Sequence, residues 1–102
     1  MDPERISDFN ISDVVSATAG REQGKLFYVT GADQDFLYLA NGKDRTLDKP
    51  KRKKRKHVEK VLRSETRVAE KLRLGDKVLN SELRRDLAYI SRDMQSHNQG
   101  GF

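Results

Sequence analysis

The chain has 102 residues, 34% hydrophobic and 36% charged, which is enough for one small domain with a compact core and too little for a multidomain enzyme. The absence of cysteine removes disulfides, thiol catalysis and every cysteine-containing zinc site. The 21 Lys+Arg and 16 Asp+Glu leave +5, but the excess is local: residues 1–48 hold nine acids and five bases (net −4), residues 49–57 seven bases and no acid (+7), and residues 58–102 nine bases and seven acids (+2).

Residues 1–10 are polar with isolated Ile6 and Phe9, the pattern of a loosely held arm. From Ile11 to Ala19 the period changes to that of a strand, with Val15, Ala17 and Ala19 on one face and Val14, Ser16 and Thr18 on the other. Gly20-Arg-Glu-Gln-Gly24 supplies a reversal, and Leu26-Phe-Tyr-Val-Thr30 reads as a second strand. Gly31 to Asp35 is the next turn signal, and Phe36 to Ala40 the third strand. Asn41-Gly42 favours the positive φ angles of a type I′ turn, which predicts a fourth strand over Lys43 to Leu47. Asp48-Lys-Pro50 closes that segment, and a short closing strand is expected near Lys56 to Val58.

The last part of the chain changes character. Ser64 or Thr66 can cap a helix with Val68, Ala69 and Leu72 on one stripe, stopped at Gly75. Asn80-Ser81-Glu82 opens a second helix, in which Leu83, Leu87, Ile90 and Met94 recur at spacings of four, three and four. Beyond Gln95 periodicity stops, and a frayed tail is expected. No apolar run approaches the roughly 20 residues that span a bilayer. Nor does an apolar segment follow Met1-Asp-Pro-Glu-Arg5, so the expected location is the cytoplasm.

Enzymatic signals fail on physical requirements. Gly20 to Lys25 reads G-x-x-x-G-K, one residue short of a phosphate-binding loop and leading into a strand where that loop needs a helix. His57 and His97 lie forty residues apart, and neither has a partner at ligand spacing, so no metal or other cofactor is expected. The block Lys49-Pro-Lys-Arg-Lys-Lys-Arg-Lys-His57 is the strongest local feature. Seven cations without an acid attract a polyanion, which gains by releasing its condensed counterions. Aromatics near such a block are candidates for stacking on bases: Phe27 and Tyr28 point to opposite faces of their strand and Phe36 and Tyr38 to the same one, so at least one of these stripes is core. In so small a barrel Tyr28 is expected in the core more readily than as a stacking ring.

The stretch Asp13 to Val29 resembles the KOW motif, a strand, a glycine-bearing loop and a second strand. The following Leu37 to His57, with Asn41-Gly42-Lys43, Arg45-Thr-Leu47 and a Lys-Pro-Lys run ending in Lys56-His57, resembles a KOW branch related to an archaeal and eukaryotic large-subunit ribosomal protein. The carboxy-terminal region is more similar to extensions of small bacterial KOW proteins. The resemblance covers about residues 11–62. It implies a mainly β, SH3-like five-stranded barrel, here followed by two short helices over residues 63–94, with RNA-binding character and a connection to the ribosome. It places the motif glycines at Gly20 and Gly24, and Arg21 and Lys25 at the loop tip.

The resulting expectation is a non-enzymatic, ribosome-associated protein that binds ribosomal RNA, with ribosomal proteins as further partners. The binding residues are Arg21, Lys25, Lys43, Arg45, Lys49, Lys51, Arg52, Lys53, Lys54, Arg55, Lys56 and His57. The rival expectation is a protein-interaction module of the transcription or translation machinery that uses the barrel surface or the helix face of Leu83, Leu87 and Ile90, a face that can equally pack over the barrel. A DNA-binding role would need the same cations.

Overall fold

The structure, a computed structural model, describes residues 9–100. Five antiparallel strands precede two helices: β1 (Asp13–Ala17), β2 (Leu26–Ala32), β3 (Phe36–Ala40), β4 (Lys51–Lys54), β5 (Val58–Arg63), α1 (Arg67–Leu74) and α2 (Asn80–Gly100). The strands form one sheet in the order β4-β3-β2-β1-β5. Laid flat, its edges would stand roughly 19 Å apart. Yet β4 and β5 are joined by a single 3-10 turn, Arg55–His57, and such a connection reaches only about 14 Å at full stretch. The sheet therefore curls, bringing the end of β4 to the start of β5, while the Thr18 amide, just after β1, donates to the His57 carbonyl at 2.9 Å and extends the β1–β5 pairing. It does not close, so the barrel expected from the sequence is an open, curled sheet.

Both faces of the central strands are buried, because the period of two divides their apolar residues between two cores. Val15, Ala17, Phe27, Val29, Leu37, Leu39 and Val58 fill the concave face, with Phe9 packed against them. On the convex face Val14, Tyr28 and Ala40 meet Ala69 of α1 and Leu83, Leu87 and Ile90 of α2. Phe9 thus belongs to the folded domain. The rest of the expected arm, residues 1–8, lies outside the described residues.

The fourth strand is not where Asn41-Gly42 placed it. A type I′ turn needs positive φ at both central residues, and only Gly42, at +79°, has it. The Asn41 side chain instead caps a loop, its Oδ1 accepting from the Lys43 and Arg45 amides at 3.0 Å each. Lys43 to Leu47 is consequently a loop, and the basic block itself supplies β4. As an edge strand it leaves its long cationic side chains access to water while pairing with β3 from Phe36↔Lys54 to Leu39↔Lys51.

The helical signals land as expected at three of their ends. Thr66 Oγ1 accepts from the Ala69 amide at 3.1 Å, Gly75 closes α1 with φ +77°, and Asn80 opens α2. However, α2 has 21 residues and continues through Gly100, so it is neither short nor frayed at Gln95. No described helix is long and apolar enough to cross a membrane.

Candidate nucleic-acid interface

The basic block occupies one edge and one corner of the sheet, and strand alternation divides its cations. Lys51 and Lys53 lie opposite Leu39 and Leu37, whereas Arg52 and Lys54 lie opposite Tyr38 and Phe36 on the other face. Lys53 crosses toward the β1–β2 loop, donating from Nζ to the Ala19 carbonyl at 2.8 Å and standing 3.7 Å from Glu22 Oε1. Glu22 also accepts from Arg45 Nη2 at 2.8 Å. This carboxylate is buried between two cations, so it laces together the β1–β2 loop, the loop after β3 and β4. Two of the cations expected to bind RNA, Arg45 and Lys53, therefore hold the fold. Lys25 is a third engaged cation, 3.1 Å from Asp44 Oδ2 on the surface, where such a pair contributes little.

The Arg45 hydrogen bond is the main reason the Glu22 carboxyl ionises below the usual range, opposed by its burial. A lowered folded-state value stabilises the protein above the unfolded value and loses that contribution as acid titrates the group. Glu22→Gln should therefore cost about 2 kcal/mol at neutral pH, because Lys53 is left buried without its counter-charge. Urea unfolding should show the gap between variant and wild type narrowing below about pH 4. A gap that persists in acid would mean that Glu22 acts through shape and not charge.

The other cations of the block have no carboxylate within salt-bridge distance among the described residues: Lys49, Lys51, Arg52, Lys54, Arg55 and Lys56. Lys49, Arg52, Lys54 and Lys56 are exposed. The Arg52 guanidinium lies 3.9 Å over the Phe36 ring, and Arg55 donates from Nη2 and Nε to the Asp33 carbonyl at 2.7 and 3.2 Å. His57 sits half-buried at the end of the 3-10 turn. Lys49, Arg52, Lys54 and Lys56 are thus open to a polyanion, whereas Lys53 and the Arg55 guanidinium are already engaged.

The β1–β2 loop carries Gly20 and Gly24 at φ +84° and +85°, with Arg21 exposed between them. A Cβ on Gly24 would meet no atom within 4 Å, so its demand is conformational and its outer side stays open. Lys25 and Lys43 line a groove that runs from this loop to α2, where Arg84 joins them. Arg84 was legible only as part of the polar face of a helix. What brings it here is its Nη1 bond to the Gly42 carbonyl at 3.1 Å.

Two candidate contact features are internal. Tyr28 is fully buried, its hydroxyl hydrogen-bonded to Ser64, Thr66 and Asp86, so it is no stacking platform. Leu83, Leu87 and Ile90 pack on the sheet, which leaves no partner face at those residues. Each fully buried side chain of this kind stabilises by roughly 1.5–3 kcal/mol, reason enough for the stripe to turn inward. Half-exposed aromatics beside the block are instead Phe36 and Tyr38, next to Arg52 and Lys54 on the face toward the helices. No family model matches the chain, and no characterised protein matches it either.

Proposed function

We propose that this protein is a non-enzymatic RNA-binding protein of the SH3-like KOW type, acting on folded ribosomal RNA during ribosome assembly or translation. The observation that carries the proposal is the edge strip of Lys49, Lys51, Arg52, Lys54, Arg55 and Lys56, which has no carboxylate partners among the described residues. β4 carries Lys51, Arg52 and Lys54 along one sheet edge, with Lys49 before it and Arg55 and Lys56 in the turn after it, and neutralising phosphates there releases counterions. The strand order and the 3-10 turn between the edge strands support the SH3-like reading. Ribosomal RNA as the target rests on the resemblance of residues 11–62 to KOW proteins.

The interaction-module reading loses its main support because Leu83, Leu87 and Ile90 are buried. Replacing Lys49, Lys54 and Lys56 together by Ser tests the RNA reading without touching Glu22, Arg45 or Lys53. Affinity for structured RNAs should fall by about 10- to 100-fold in moderate salt, alike for all sequences, with the unfolding midpoint unchanged. Unaltered RNA affinity, or a stronger preference for duplex DNA in competition at fixed salt, would refute the proposal.

A further inference from the structure

The phosphate-binding reading leaves one surface feature without a role. Where the β2–β3 turn meets the end of β4, a groove is lined by Gln34, Asp35, Phe36, Lys54, Arg55 and Lys56. Its walls are tied in place. Asp33 Oδ1 accepts from the Asp35 and Phe36 amides at 3.3 and 3.0 Å, Tyr38 Oη donates to Asp33 Oδ2 at 2.9 Å, and the Arg55 amide donates to the Asp35 carbonyl at 3.1 Å. At its edge the Arg52 guanidinium already stacks on Phe36 at 3.9 Å.

This mixture suits a nucleotide better than a lone phosphate. An aromatic ring offers nothing to a phosphate, and the exposed Asp35 carboxylate would repel one. Arg52 lies over one face of the Phe36 ring and is not part of the groove wall, so a base in the groove packs on the rest of the half-exposed ring, which takes a flat partner. Asp35 and Gln34 then face the edge of that base, where a carboxylate accepts from N–H donors. Lys54 and Lys56 are left for the flanking phosphates.

We infer that this groove binds a single unpaired RNA nucleotide next to a helix held by the cationic strip, with its base against the Phe36 ring that Arg52 backs. The inference rests on the RNA-binding reading above and adds a preference for a junction between paired and unpaired RNA. Arg–aromatic stacking inside a duplex is not available, because paired bases cover one another's faces.

The test compares a blunt RNA hairpin with the same hairpin carrying a short unpaired 3′ extension. The extension should raise wild-type affinity by about tenfold at equal salt. Phe36→Leu, which keeps an apolar side chain on β3, should abolish that gain while leaving blunt-hairpin affinity unchanged. As a measurement on the wild type alone, 2-aminopurine in the extension should lose fluorescence on binding, and the chain has no Trp to interfere. Equal affinity for the two hairpins together with unchanged 2-aminopurine emission would overturn the inference and leave the RNA reading intact. Failure to bind either hairpin in dilute salt would overturn both.

Discussion

Replacing Gly42 by Ala should destabilise the protein by about 3–5 kcal/mol, lowering the thermal midpoint by roughly 15–30 °C. At φ +79° an alanine is already disfavoured by about 1–2 kcal/mol. The larger part comes from packing, since a Cβ there would lie 2.2 Å from the Asn80 carbonyl oxygen and 3.1 Å from the Arg84 amide nitrogen. Both are helix backbone, so the first turn of α2 must move. That movement would break the 2.8 Å bond from the Leu47 amide to Asn80 Oδ1 and the 3.1 Å bond from Arg84 to the Gly42 carbonyl, and would loosen Leu83 from the sheet. Gly24→Ala is the control, because its φ is +85° but no atom lies within 4 Å of the added carbon. It should cost only about 1–2 kcal/mol. Equal losses at the two glycines, read by circular dichroism melting, would contradict the close helix–loop approach.

Tyr28→Phe should cost about 2 kcal/mol at neutral pH and should flatten the alkaline limb of stability. The Tyr28 hydroxyl donates to Asp86 on α2 and lies 2.8 Å from Ser64 Oγ, after β5, while Thr66 donates to the same carboxylate oxygen at 2.8 Å. One buried phenol thus ties the sheet to both helical segments. Burial, followed by its bond to Asp86, pushes its ionisation from an ordinary 10.0 up to about 12. A folded-state value raised above the unfolded one means that the native protein keeps its proton longer, so stability is full below pH 10 and is lost as pH rises toward 12. That displacement corresponds to about 2–3 kcal/mol across the window. Urea unfolding of wild type and variant at stepped alkaline pH should show the two curves converging. Parallel curves would mean that the phenol ionises equally in both states. Tyr38 also ionises above its ordinary value because of its bond to Asp33, but it is present in both proteins and cancels in the comparison.

Strands β1, β2 and β3 were legible because alternation and glycine-bearing turns acted together, and the ends of α1 because Thr66 and Gly75 satisfy local backbone demands. The error over Lys43 to Leu47 has an equally local origin. Asn-Gly carries two possible uses, a tight turn with both residues at positive φ or a loop capped by the Asn side chain, and the choice depends on α2 pressing against Gly42 from far along the chain. In the basic block composition hides the alternation of a strand, in which Lys51 and Lys53 turn to one side and Arg52 and Lys54 to the other.

At the candidate site, charge density was visible in the sequence and charge allocation was not. Glu22 is one polar residue in a glycine loop, and nothing near it in sequence indicates that it captures Arg45 and Lys53. Phe36 and Tyr38 were recognised as sharing a face. That this face remains partly open, while Tyr28 is sealed beneath α1 and α2, depends on where the helices stop covering the sheet.

The most direct measurement of the central claim is the affinity of the wild-type protein for a structured ribosomal RNA fragment across a series of salt concentrations. With Lys53 and Arg45 engaged internally and about five cations of the strip reaching phosphates, log affinity should fall against log salt with a slope of roughly −3.5 to −4.5. A slope near zero, or no binding in dilute salt, would contradict a polyanion interface on this edge of the sheet.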